Sequence, residues 1–517
     1  MKRNRTFNIA ANSLVGVISY IIVFLCTFIT RGFIAQYLGK EILGVNSLFT
    51  NMVTILSMAE LGLSAAMVMF LYKPLADNNH EKIKSFMRCY RNLYMIIFTF
   101  IFLAGCIVCI FIDYFAKTDI SLAKLRLYFM LFVLNTCVTY LSAYKKSILH
   151  ADQQNRIVSI VHMFSRLLMT LFQAFFLMIT KSFLIYLILI IFSNLLENII
   201  CNLYVNHEFP YIKEKNIVPL TSNEKKNIYR KVKPMFIQRI ASTVLTSTDN
   251  LIISVYISVG EVGVYSNYLL ISQTIISIFG QIYASFTTSF GNLAASEGNV
   301  NTYPAFKRFN FLSSFLLLNA CSLYLVLIQP FIQVWLGSEY ITSIQLPLLI
   351  VICLYFNLMN YTLISIQNAL GLHKYDEKAS VIQVIFNVAA SILMVKQFGV
   401  NGVVMGTILS ILCFPSITKP YIIYKYVFKK PIILYFRFFA RMTMTVACVL
   451  LGNVFITQFQ LVSSFFLNVI LNTCISIIFC NLIFIVFHHK STEFNNLKNM
   501  FIGIYKLVSR RFVHEAR

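Results

Sequence analysis

Apolar runs of twenty or more residues recur along the whole of this 517-residue chain, and that pattern leaves few folds open. A helix needs about 20 apolar residues to cross the hydrocarbon core of a bilayer, whereas membrane barrel strands alternate over about ten. With 58% hydrophobic and only 12% charged residues, the chain lies outside the range of soluble domains. The expected fold is an all-α integral membrane protein, because a helix satisfies its own backbone groups where no water is present.

Fourteen spans are expected, at roughly 7–30, 42–71, 87–112, 121–144, 157–180, 182–205, 234–257, 262–294, 309–332, 341–370, 377–396, 401–424, 433–457 and 461–487. The first follows Lys2, Arg3 and Arg5, is about twice as long as a signal-peptide core, and has no convincing small-residue cleavage site. It is expected to remain as a helix.

A net charge of +24 in a soluble protein would suggest nucleic acid, but here the placement of the charge points elsewhere. Of the 43 Lys and Arg residues, 34 fall on the side that carries both termini, 7 on the other, and Arg166 and Arg239 lie within spans. The positive-inside rule then puts both ends in the cytoplasm of a bacterial cell and removes nucleic acid as the partner. The loops are too short for a folded soluble domain. The tail residues Leu497, Phe501, Ile504, Val508 and Phe512 share one side of a possible helix, with Lys and Arg nearby, which fits a helix on an anionic membrane surface or a solvated tail.

The two halves resemble each other at an offset of 219 to 221 residues. Gly44-Val45-Asn46-Ser47 matches Gly263-Val264-Tyr265-Ser266, and Phe86-Met87-Arg88 matches Phe306-Lys307-Arg308. The offset contains an even number of spans, so both copies have the same orientation. The expected division is an N-terminal six-helix lobe (1–205), a cytoplasmic basic linker (206–233), a C-terminal six-helix lobe (234–424), two additional helices (425–487) and a basic tail (488–517).

Charged groups inside the spans carry the functional reading. Arg239, Ser242, Thr246 and Asp249 fall on one helical face. Arg239 and Asp249 are about 15 Å apart along that helix, too far to neutralise each other directly. A charged side chain near a membrane helix centre costs at least ~2.5–3.5 kcal/mol, so such groups usually face a bundle interior or water. Snorkelling of Arg239 to the surface is the alternative. Arg31, Arg166, Glu60 and Glu197 complete the set, with pairing of Arg166 to Glu197 as a purely structural alternative. Three arginines, Arg31, Arg166 and Arg239, suit a phosphate or pyrophosphate group, because guanidinium matches phosphate oxygens in a bidentate geometry.

Polar stripes at Thr50, Thr54, Ser57, Glu60 and Ser64, and at Ser277, Gln281, Ser285 and Thr288, suggest water-facing walls. Hydroxyls bonded to their own helix explain the same pattern. Gly62, Gly280, Pro347 and Pro415 permit kinks. Twelve cysteines are scattered through apolar segments, and the single CxxC, Cys106 to Cys109, has no second pair beside it, so all are read as packing residues. No catalytic triad, metal motif or nucleotide-binding loop is found, and no cofactor is expected.

The basic start with Asn12-Ser13, the run Arg31-Gly32-Phe33-Ile34-Ala35-Gln36-Tyr37-Leu38-Gly39, Glu60-Leu61-Gly62-Leu63-Ser64 and the later Asp249-Asn250 with Gly263-Val264-Tyr265 are diffuse signals spread over nearly the whole chain. In them the sequence resembles the Wzx-type polysaccharide or O-antigen flippases of the multidrug/oligosaccharidyl-lipid/polysaccharide exporter superfamily. That resemblance implies a MATE-like core of two parallel six-helix lobes with two extra helices, and translocation of an undecaprenyl-diphosphate-linked oligosaccharide between leaflets. It further implies contact with membrane lipids and names a polysaccharide polymerase and glycosyltransferases as candidate partners. Arg31, Arg166 and Arg239 would hold the diphosphate. Related exporters place an acidic residue in the first helix for ion coupling. This chain has none there, so Glu60, Asp249 or Glu197 would have to serve. A small-molecule exporter of related fold is the nearest rival. A membrane glycan polymerase is disfavoured by the short outer loops.

Overall fold

The structure, a computed structural model, describes residues 5–60, 63–214, 218–222, 226, 243–245, 247–297, 302–460 and 462–499. Among these residues twelve helices are long and apolar enough to cross a membrane. The helices used below are α1 (Arg5–Leu56), α2 (Leu63–Ala76), α3 (His80–Ile110), α4 (Leu122–Tyr140), α5 (Ala143–Ala151), α6 (Asn155–Thr180) and α7 (Phe183–Glu208). They continue with α8 (Val259–Glu297), α9 (Thr302–Leu336), α10 (Gln345–Leu370), α11 (Glu377–Phe398), α12 (Val400–Cys413), α13 (Pro415–Ile423), α14 (Ile433–Gln458) and α15 (Phe465–His488).

α1 has 52 residues, enough for about 78 Å if straight, far more than one bilayer core. It is broken at Gly39, which takes φ 80° and ψ 177°, a conformation open to glycine and strained for other residues. The break doubles the chain back. Arg31 and Ser47, about 24 Å apart on a straight helix, are joined by a 2.9 Å hydrogen bond. The expected end of the first span therefore moves from Arg31 to Gly39, since Gly32 stays helical and only Gly39 leaves the helix.

The two legs of α1 and the eleven later spans correspond to thirteen of the fourteen expected. The seventh, 234–257, lies partly outside the described residues, which include its helical end at 247–256. Of the expected kinks, Pro415 opens α13 after a break at Phe414, whereas Gly280 leaves α8 unbroken and Pro347 sits in the first turn of α10. Gly62 falls outside the described residues, and the second span breaks beside it in the tight turn Ser57–Glu60.

The helices invert the rule of soluble proteins. On α6 the exposed residues include Phe164, Leu171, Phe175 and Ile179, while Ser165, Thr170 and Gln173 are buried. Such a helix suits lipid outside and polar groups within.

The chain forms two compact units, Met1–Gly263 and Val264–Arg517. In the first, α1 packs along α6, α6 on α7, and α3 on α4. The second leg of α1 also meets the start of α8 at very short range: a methyl added to Gly44 would sit 1.8 Å from the Val259 carbonyl oxygen, and one on Gly263 would sit 2.2 Å from that of Lys40. These are the glycines that the sequence repeat aligns.

In the second unit, α9 packs against α10, α14 and α15. α14 and α15 are bound to it by a closed polar cycle: Asn453 donates to Ser322 (2.8 Å), Ser476 donates to Asn453 (2.9 Å), and the Ser322 and Ser476 hydroxyls lie 2.8 Å apart. α11 and α12 approach through Gly402 and Gly406, where an added methyl would collide with the backbone of Met394 and Ser391.

Candidate functional site

α1 and α6 run side by side in the same direction because polar groups fix their starts. Asn12 donates to the Gln153 carbonyl (2.8 Å) and accepts from the Arg156 N–H (3.0 Å), and Ser19 donates to the Ser159 carbonyl (3.0 Å). At about 1.5 Å per residue, the nineteen residues from Asn12 to Arg31 and from Gln154 to Gln173 climb equally. That brings Arg31, Arg166 and Gln173 into one cleft.

The cleft measures about 60 Å³, and its walls include Arg31 and Asn46 from the two legs of α1, Arg166, Thr170 and Gln173 from α6, and Tyr186 from α7. No Asp or Glu lines it. Thr27 and Thr30, also in its wall, donate to the carbonyls of Val23 and Cys26 and so direct their protons to their own helix. Arg31 is anchored by Ser47, which donates in turn to the Leu43 carbonyl at 3.1 Å. Arg166 is half-buried and forms no ion pair among the described residues. Gln173 is 3% exposed, and its Nε2 has no hydrogen-bond partner among them. A buried donor left unsatisfied costs about 1–3 kcal/mol, so the cleft favours an incoming acceptor.

Pairing of Arg166 with Glu197 does not occur. Glu197 instead accepts from Lys146 Nζ at 2.6 Å and lies 2.8 Å from His162 Nδ1, binding α5, α6 and α7 together. Sequence reading missed this cluster because Lys146 stands outside the expected span. Glu60 ends the turn after α1 and accepts from Tyr94 (3.3 Å), with Tyr140 also hydrogen-bonded to it. Asp249 is buried and has contacts of its own. Arg239, Ser242 and Thr246 lie outside the described residues, so the cleft is assembled here from two of the three expected arginines.

Thr50, Thr54, Ser57, Ser277, Ser285 and Thr288 all donate to carbonyls four residues earlier. Hydroxyls behave this way without any ligand, so the stripes do not by themselves make a site. Thr50, Thr54, Gln281, Ser285 and Thr288 are nevertheless exposed, each on the surface of its own unit.

A second buried ion cluster was not anticipated. In the second unit Lys419 on α13 pairs with Asp376, just before α11, and donates to Gln367 on α10 at 2.9 Å. Thr418 also donates to Asp376, at 3.1 Å.

Comparison with known proteins places this arrangement. Residues 9–290 match the model of a family described as polysaccharide biosynthesis protein. A search of curated proteins finds no match. Among solved structures, an inward-facing multidrug resistance MATE family transporter of the MOP superfamily superposes with a TM-score of 0.64 at 14% identity, covering 79% of this chain and 98% of that one. The lipid II flippase MurJ in an inward closed conformation gives 0.63 at 16% identity, covering 91% and 99%. A MOP superfamily transporter from Pyrococcus furiosus, described by the reverse polarity of its binding pocket, gives 0.52 at 15% identity, covering 82% and 96%. At these identities the likeness establishes the MATE-like fold. The family match covers more than half of the chain, so this protein belongs to the polysaccharide biosynthesis protein family and is a membrane protein of the flippase and exporter class, not an enzyme.

Proposed function

We propose that this protein moves oligosaccharide repeat units linked to undecaprenyl diphosphate across a bacterial cytoplasmic membrane, for capsule or other cell-surface polysaccharide. The observation that carries this reading is the cationic cleft inside the membrane-spanning part of the first unit, with Arg31 and Arg166 in its wall and no carboxylate there. An anionic diphosphate headgroup complements it, while the lipid tail stays in the bilayer. Arg239 is the third arginine of the same reading, and Glu60 and Asp249 remain the acidic groups available for ion coupling.

No covalent chemistry is needed. Two conformations that bind the cargo differently suffice to carry it, and the differential affinity sets direction. The basic loops, 34 of 43 Lys and Arg on one side, put both termini in the cytoplasm on this reading. The sequence repeat supports two parallel six-helix lobes, with α14 and α15 added at the end.

The test is depletion of the protein followed by measurement of lipid-linked oligosaccharide on the inner leaflet. Accumulation relieved by wild type, and not by Arg166→Ala or Arg239→Ala, is expected. Unchanged lipid-linked pools with altered drug sensitivity would move the assignment to a small-molecule exporter, the reading that the MATE-like fold keeps open.

A further inference from the structure

We infer that the cleft is a site for a phosphate-type oxyanion whose third donor is the side-chain amide of Gln173. The inference rests on the diphosphate reading above and goes beyond it by separating the phosphate from the sugar and by naming a neutral residue that the arginines require.

The argument starts from donors and acceptors. Gln173 is almost wholly buried, lines the cleft beside Arg31 and Arg166, and carries an N–H₂ with no partner among the described residues. A glutamine amide is versatile in principle, with two donors and one acceptor. Here its orphaned atom is the donor, so the missing partner is an acceptor. The nearest charged groups in the wall are guanidiniums, which have donors only. Three donor groups of that kind, with no carboxylate among the lining residues, fit an oxyanion and would repel a cation.

Size and geometry narrow the class. About 60 Å³ holds a few water-sized probes and suits one phosphate group better than a sugar ring. Sugar hydroxyls are donors as well as acceptors and would call for carboxylates or amide carbonyls, which the arginine side of this cleft lacks. A planar guanidinium takes two phosphate oxygens at once, whereas a spherical halide gains nothing from the fork. The cleft is therefore assigned to the phosphate end of a ligand, and the glycan must lie outside it.

The experiment uses the full chain in lipid nanodiscs with inorganic pyrophosphate, inorganic phosphate and chloride as probes at matched ionic strength. Binding is read from the shift in thermal midpoint across a titration, and the midpoint without ligand reports folding. Pyrophosphate is expected to bind well above chloride. Gln173→Leu is expected to weaken pyrophosphate about tenfold or more, the usual effect of losing one hydrogen bond to a charged group, and to leave chloride unchanged. Gln173→Met serves if the leucine variant does not fold. Gln173→Glu should abolish pyrophosphate binding by supplying Arg166 with its own carboxylate.

Wild-type affinity retained in the leucine or methionine variant would overturn the role of Gln173. Equal binding of chloride and pyrophosphate, or no binding of either, would overturn the oxyanion site. Failure of the cargo reading looks different: pyrophosphate binds wild type and not the variants, yet depletion leaves lipid-linked pools unchanged.

Discussion

The two units hold ionisable groups on matching helices with opposite results. In the first, a carboxylate on α7, Glu197, is held by Lys146 after α4 and by His162 on α6. In the second, the positions about 221 residues later carry the reverse: an ammonium on α13, Lys419, is held by Asp376 and by Gln367 at the end of α10. Each cluster fastens three helices, so the fastening is shared and its polarity is not. The cationic cleft has no such counterpart. Residues 221 positions after Arg31, Arg166 and Gln173 are Ile252, Asn387 and Met394, so the second copy places no cation there. One unit keeps unneutralised positive charge within its helices, and the other closes its polar groups on one another.

The sharpest way to break that comparison is Lys419→Ala. It strands Asp376, whose side chain is 6% exposed, and is expected to cost about 3–5 kcal/mol in thermal or denaturant unfolding. Lys146→Ala should cost less, about 1–2 kcal/mol, because Glu197 keeps His162. Equal costs would show that the two clusters are not alternative forms of one clamp. Asn453→Ala opens the cycle with Ser322 and Ser476 and should remove roughly 1–2 kcal/mol. Detachment of α14 and α15 would appear as faster amide exchange in both.

Arg166→Ala is the contrasting case in the first unit. With no ion pair to lose among the described residues, it should change stability by no more than about 0.5 kcal/mol while removing pyrophosphate binding. A large loss of stability would mean that Arg166 is structural. The smallest effect concerns Glu493, which pairs with Lys307 at 2.7 Å. Burial raises its pKa, but the hydrogen bond from Lys307 outweighs this, and the net shift is downward. A depressed carboxylate stabilises above its unfolded pKa and loses that contribution as pH falls through the folded one. Residues 492–499 should therefore loosen only below about pH 4, by less than about 1 kcal/mol, seen as local amide exchange.

Most of the architecture was legible because a bilayer demands long apolar helices, and the runs around α3, α6, α7, α9 and α15 announce themselves. The boundary at Arg31 was misplaced because a charge was taken as a span end, whereas the backbone ends the first leg at Gly39. Arg31 and Arg166 could be proposed singly as membrane arginines. Their meeting could not be read, since they are 135 residues apart and share no complementary charge. The partner of Glu197 was misjudged for the same physical reason: Lys146 and Arg166 are equally basic in sequence, and only the packing of α5 on α7 chooses between them. Gln173 and Asn453 are both amides in apolar runs, and nothing local separates the orphaned one from the satisfied one.

The hydrogen bond from Arg31 to Ser47 also has a mechanical meaning. It is a latch across the hinge at Gly39, tying the two legs of α1 at a point where the same guanidinium faces the cleft. An anion that draws Arg31 toward Gln173 pulls against Ser47, and Ser47 is rooted by its bond to Leu43 in the leg that crosses α8 at Gly44. Cargo charge and hinge tension are thereby set against each other through one side chain.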